Sequence, residues 1–108
     1  MAPQPLSRLS TPVKLVLRQL VKADHGVWTG EVAKATDLTW NTADMVLKRL
    51  ERADWLISKR ERREVAVEEA RGVRRYWEFT NEGRKAAVDL LEAGHVHHQR
   101  GDTGMSLD

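Results

Sequence analysis

An α+β fold of mainly helical content is predicted by three features of this 108-residue sequence. The stretch Thr29–Ala53 holds two short helical periods separated by a polar turn. Two β-prone segments, Trp55–Arg60 and Arg74–Thr80, flank a charged connection. Further helical periods precede and follow these units, over about Pro12–Ala23 and from Thr80 to about Gly94. Together they predict a three-helix core, a two-stranded β wing and a C-terminal helix.

The helix pair organises the rest. Its first helix spans about Gly30 to Ala35 with Thr29 as cap, and its second about Trp40 to Ala53 with Thr39 as cap. Between them Thr36-Asp37-Leu38-Thr39 supplies polar turn residues and one apolar plug, Leu38. In the second helix Ala43, Val46, Leu47, Leu50 and Ala53 recur at helical spacing and bury one stripe. The opposite side carries Trp40, Asn41, Thr42, Asp44, Met45, Lys48, Arg49 and Arg52. A short helix, a turn and a half-buried helix form the helix-turn-helix unit, whose second helix reaches base edges in the DNA major groove. An ordinary antiparallel helix pair shows the same pattern on this stretch alone.

Taken in order, residues 1–10 hold all but one of the prolines and read as a flexible lead-in. Thr11-Pro12 reads as a cap followed by proline at the first helical position. Val13, Val16, Leu17, Leu20 and Val21 keep the helical period, so this helix forms a floor for the other two, with Gly26 placed to end it. Val27-Trp28-Thr29 suits a one-step strand joining a later sheet. The segment Trp55–Arg60 turns extended, and Arg74–Thr80 alternates with aromatic residues, with Phe79 favoured over Trp77 as the core residue. The connection, about Glu64 to Val73, contains one turn-favouring residue, Gly72, and is expected to have a mobile tip. Thr80 caps the last helix, with Glu82 at its positive end. Ala86, Ala87, Leu90 and Leu91 form its stripe, and Gly94 is the expected stop. The division is a lead-in (1–10), one domain (11–94) and a disordered tail (95–108). Helix, short strand, helix, helix, strand, strand, helix is the order of a winged helix-turn-helix domain.

Composition narrows the function. Hydrophobic content of 41% and charged content of 31% are ordinary for one globular domain. Without cysteine there is no disulfide framework, thiolate metal site or cysteine nucleophile. No apolar run approaches the ~20 residues of a membrane span, and the start MAPQPLSRLS lacks a signal-peptide core, so a cytoplasmic protein without membrane attachment is expected. The net charge of +2 says little by itself. Arginine outnumbers lysine roughly two to one, which suits bidentate recognition of phosphate or guanine but equally reflects a GC-rich genome. No phosphate-cradling glycine loop, activated nucleophile or paired carboxylates are present, so neither enzymatic activity nor a cofactor is expected. His95, His97 and His98 invite a metal reading, but only Asp102 stands near as a further ligand, and no metal site is expected.

From Lys14 to Ala93 the chain resembles the PadR-like winged-helix transcriptional regulators. The resemblance rests on Thr36-Asp37-Leu38, on Thr42–Glu51 and Ala53-Asp54-Trp55-Leu56, and on Arg74-Arg75-Tyr76-Trp77-Glu78-Phe79-Thr80-Asn81-Glu82-Gly83-Arg84. These junctions are shared, less tightly, with the MarR-like regulators. The resemblance implies a homodimeric repressor of a partly palindromic operator, its reading helix in the major groove and its hairpin on the minor groove or phosphates. Trp40-Asn41 stand where a small residue and glycine are usual, Asp44 stands where an aromatic often is, and the C-terminal helix is short for a large dimerisation arm.

Candidate double-stranded DNA contacts on the reading helix are Thr39, Trp40, Asn41, Thr42, Asp44, Met45, Lys48 and Arg49. Asn41 and Thr42 suit base contacts, with helix capping as the blander role. Lys48 and Arg49 suit phosphates. Trp40 suits thymine methyls or a wedge near the backbone, or else folds back over Leu38. Asp44 suits a local pair with Lys48. On the wing the candidates are Lys59, Arg60, Arg62, Arg63, Arg71, Arg74 and Arg75, with Arg74 and Arg75 nearer its base. Phosphate contacts there would steepen the salt dependence of binding, whereas an edge hairpin kept soluble by mixed charge is the alternative. Leu90 and Leu91 are the expected self-association contact. A winged helix docked on another protein, or an architectural DNA binder with little sequence preference, fits the same residues.

Overall fold

The computed structural model describes residues 3–6, 9–23 and 25–101, with residues 93–101 described by their backbone alone. The elements are α1 (Thr11–Lys22), β1 (Val27–Trp28), α2 (Thr29–Thr36), α3 (Trp40–Arg52), β2 (Leu56–Arg60), α4 (Arg63–Glu68), β3 (Arg75–Phe79) and α5 (Asn81–Gly101). Strand order is β1-β3-β2, antiparallel throughout. The two-residue strand before α2 does join the sheet, pairing Val27 with Trp77. This is a winged helix-turn-helix fold.

The apolar stripe of α1 (Val13, Val16, Leu17 and Leu20) is buried, and the helix packs against α2, α3 and α5. The stripe of α3, Ala43, Val46, Leu47 and Leu50, closes over it. Against this helical layer stands the sheet, and its buried aromatic is Trp77 rather than Phe79. The reason is position in the ladder. Trp77 lies mid-strand in the central β3, flanked by Val27 and Ser58, and is fully buried. Phe79 ends the strand and is only half-buried, beneath the Arg84 guanidinium. Burial of an indole requires a partner for its N–H. The Trp77 Nε1–H donates to Thr29 Oγ1 at 2.9 Å. Thr29 therefore does not cap α2 as its sequence position suggested: it is the first residue of that helix, and its hydroxyl is turned into the core.

Three helices end in the same way without glycine. Asp37, Asp54 and Ala70, which follow α2, α3 and α4, take left-handed φ values of 58°, 65° and 53°. After each, the next residue donates back across the last turn: Leu38 N–H to Ala33 O, Trp55 N–H to Leu50 O, and Arg71 N–H to Ala66 O, at 2.9–3.1 Å. These are Schellman motifs, which usually place glycine at the left-handed position. Aspartate tolerates that conformation better than most residues; alanine does not.

The end of α1 is closed differently from the sequence expectation. Gly26 does not adopt a left-handed conformation. Instead Arg84, from α5, donates to Val21 O at 3.3 Å and Ala23 O at 2.9 Å, setting a cation on the helix's negative end. At its start, Ser10 precedes α1 without a side-chain cap bond, and Thr11-Pro12 already belong to the helix. Thr80 does cap α5, accepting from Gly83 N–H at 2.9 Å while its hydroxyl donates to Asp54 O at 3.2 Å. A Cβ on Gly83 would lie 2.1 Å from the Trp55 carbonyl oxygen, so only glycine lets α5 approach the end of α3 this closely.

Three further segments depart from expectation. The connection between β2 and β3 contains α4, where Glu64, Ala66 and Glu68 are good helix formers and glycine enters only at Gly72. Helix α5 continues past Gly94 to Gly101. The lead-in is tied to the domain: Gln4 N–H donates to Ala53 O at 2.8 Å, Gln4 O accepts the Trp55 indole N–H at 2.6 Å, and Leu6 and Leu9 pack on the core.

Urea unfolding provides three checks. Thr29→Val leaves the Trp77 indole N–H without a partner and should cost about 1–3 kcal/mol. Gly83→Ala should cost at least about 2 kcal/mol by overpacking against backbone. Asp54→Gly should raise stability by about 1 kcal/mol by removing a left-handed β-carbon. Unchanged midpoints would contradict these assignments.

Candidate nucleic-acid interface

The face of α3 turned away from the core begins at a well-made helix start. Thr39 Oγ1 accepts from Thr42 N–H at 3.2 Å and donates to Thr42 Oγ1 at 2.9 Å. Thr39 is therefore the cap its position suggested, and Thr42, inside the first turn, supplies the capped N–H and accepts the Thr39 hydroxyl. Asp44 pairs with Lys48 at 2.9 Å, the local i,i+4 pair its spacing suggested. Asn41, Met45 and Lys48 are exposed, and Arg49 is half-buried with an interaction of its own.

Trp40 packs edge-on against Trp28, with ring centroids 5.8 Å apart and planes at 62°. Trp28 in turn lies over Gly30, where a Cβ would come within 2.4 Å of the indole. The guanidinium of Arg74 sits 4.0 Å above the Trp28 ring. Arg74, Trp28 and Trp40 thus form a braced stack joining the wing to the start of α3. It borders a groove of about 420 Å³ that also touches Asp44, Arg71 and Arg75.

The wing's basic residues divide into two sets. Arg71 is held by Glu61 through both terminal nitrogens and by Glu69 at 2.9 Å. Glu61 also accepts from Arg74 N–H at 3.0 Å, and its own N–H donates to Arg74 O. The Arg71 hydrogen bonds hold the Glu61 carboxyl below its ordinary value of 4.5, and Glu61 raises the Arg71 pKa further. Arg71 and Arg74 are therefore engaged inside the protein, where they shape the wing. Arg75 donates to Ser58 Oγ at 3.1 Å, Ser58 donates to Glu51 Oε2 at 2.6 Å, and this chain ties the sheet to the last turn of α3. Lys59 makes a looser pair with Glu78 at 3.6 Å. Arg60, Arg62 and Arg63 are exposed and, among the described residues, have no ion-pair partner. They stand where β2 gives way to α4.

Sequence reasoning missed Trp28, Ser58, Glu51 and the clamp role of Glu61. None of them left a signal in the sequence, since the pairing of Glu61 with Arg74 depends on the hairpin register. Of the expected self-association pair, Leu90 packs partly on the core and Leu91 is half-buried. His95, His97 and His98 lie outside the residues whose side chains are described. Among the described residues no group of three or more metal-ligating side chains occurs, and no helix is long and apolar enough to cross a membrane.

The fold and this helix-plus-wing geometry are those of the winged helix-turn-helix class. Solved structures of transcriptional regulators share it. PcaV of Streptomyces coelicolor, solved with its natural ligand, is 22% identical over 94% of this chain and 67% of its own, with a TM-score of 0.70. BpsR of Bordetella bronchiseptica, whose DNA binding is regulated by 6-hydroxynicotinic acid, is 19% identical over 93% of this chain and 70% of its own, at 0.68. A MarR-family regulator from Silicibacter pomeroyi is 21% identical over 92% of this chain and 61% of its own, at 0.61. No family profile and no curated protein sequence matches the chain.

The Glu61 clamp has a definite pH signature. Its contribution is complete above the ordinary glutamate value of 4.5 and is lost as pH falls through the lower folded value. An NMR titration of the Glu61 carboxyl carbon should have its midpoint below 4.5, and Arg71→Gln should move it back upward. Equal midpoints in the two proteins would show that Arg71 does not hold this carboxylate.

Proposed function

We propose that this chain is a sequence-specific, double-stranded DNA-binding transcriptional regulator acting in the cytoplasm, not an enzyme. The observation that supports it most is an α3 face exposing Trp40, Asn41, Met45 and Lys48, whose start is joined through the Trp40–Trp28–Arg74 stack to a wing exposing Arg60, Arg62 and Arg63. Trp40, Asn41 and Met45 suit base edges in the major groove, and Lys48 suits a phosphate beside it. The wing cations suit flanking phosphates or the minor groove. Arg71 and Arg74, DNA-contact candidates by sequence, serve in this reading to hold the wing and, through Trp28, Trp40 in place.

The narrower reading is a homodimeric repressor, PadR-like in its junction motifs and sharing its fold with a MarR-family regulator. Helix α5, through the half-buried Leu90 and Leu91, is the dimer contact in this proposal. A dimer would place two copies of α3 on successive turns of a pseudo-palindromic site.

The test is binding of the purified chain to a labelled duplex from upstream of its own gene, beside a scrambled duplex of equal length, at near-physiological salt. A preference of roughly tenfold or more is expected for an autoregulator. Asn41→Ala should reduce that preference. Arg62→Ala combined with Arg63→Ala should weaken both duplexes similarly and flatten the salt slope. No binding to any duplex would instead favour a winged helix docked on another protein.

A further inference from the structure

The exposed face of α3 carries an unusual chemistry for reading bases. Between Trp40 and Leu47 the helix has neither arginine nor lysine, so its first turns offer no cation for the guanine edge. Lys48, the first cation along the helix, is paired with Asp44. That pairing also engages Oδ2 of the one acidic side chain in these turns. Besides the capping hydroxyl of Thr39, what remains exposed at the start is one amide, Asn41, and two large apolar side chains: Trp40, 51% exposed, and Met45, 69% exposed. The Trp28–Arg74 stack fixes Trp40 before any ligand arrives, lowering the cost of ordering it in a complex.

In the major groove, the apolar feature that distinguishes base pairs is the thymine 5-methyl group, and the group that matches an amide bidentately is the adenine N6/N7 edge. We propose that α3 selects A·T base pairs, with Trp40 and Met45 packing on thymine methyl groups and Asn41 bonding adenine. The inference rests on the DNA-binding reading above and adds the base class to it.

The test uses the full chain and the duplex sites it enriches from a random library. Enriched sites should contain A·T pairs at fixed positions. Replacing thymine by deoxyuridine there removes only the methyl group, and affinity should fall about three- to fourfold for each methyl in contact. Met45→Ala should shrink that thymine-over-uracil ratio, whereas Arg62→Ala with Arg63→Ala should leave it intact while lowering affinity overall. Replacing adenine by 7-deazaadenine should weaken the native chain and have no further effect on Asn41→Ala. Enrichment of G·C positions alone, or equal binding of thymine and uracil duplexes, would overturn the base assignment while leaving DNA binding standing. Failure to retain any duplex would overturn the DNA-binding reading itself.

Discussion

The hydrogen bond from the buried indole of Trp77 to the hydroxyl of Thr29 joins the two halves of this domain. Trp77 belongs to the central strand and Thr29 to the first turn of α2, so one polar contact inside an apolar core sets the sheet against the helix-turn-helix. Its energetic weight lies in what its loss would leave behind, an indole N–H sealed from water. Because β3 pairs with both β1 and β2, fixing Trp77 fixes the wing as well. The same strand leads directly from Arg74, whose guanidinium covers Trp28 and so reaches the start of α3.

Around that junction the chain turns without the usual residues. Asp37, Asp54 and Ala70 adopt left-handed conformations in complete Schellman motifs, and glycine is kept for Gly83, where a backbone carbonyl leaves no room for a β-carbon. The turn between α2 and α3 is thereby defined by aspartate and by Leu38, whose N–H closes α2. The wing, in turn, is shaped by an internal ion-pair clamp, Glu61 with Arg71, and this leaves Arg60, Arg62 and Arg63 as the outward cations. A basic count overstates the charge available to a partner because it does not show which arginines the protein uses itself.

The helical elements were legible because Val13–Leu20 and Ala43–Leu50 keep an unbroken period, and the Thr39 and Thr80 caps follow local chemistry. The strand Val27–Trp28 was legible only by topology, as a partner for a later sheet. Thr29 misled because a threonine ahead of a helical period has the same signature whether it caps the helix or bonds across the core. The choice of Phe79 over Trp77 failed for a related reason: period two places both on one face, and only the register with β1 and β2 shows which is central. Helix α4 was obscured by reading Gly72 as a sign of a loop throughout. In the candidate interface, the exposed residues of α3 were visible from the helical period. The Trp28–Trp40 contact and the Glu61 clamp join residues that only the folded chain brings together.

One surface, the exposed side of α3 with the adjoining wing, is the proposed meeting point with DNA. The most direct measurement is an amide and indole NMR map of the full chain titrated with duplex DNA. Shifts concentrated at Trp40–Arg49, at the Trp40 indole and at residues 60–63, with the outer side of α1 unmoved, are the predicted result. Saturating duplex that shifts only resonances elsewhere, or none, would contradict it.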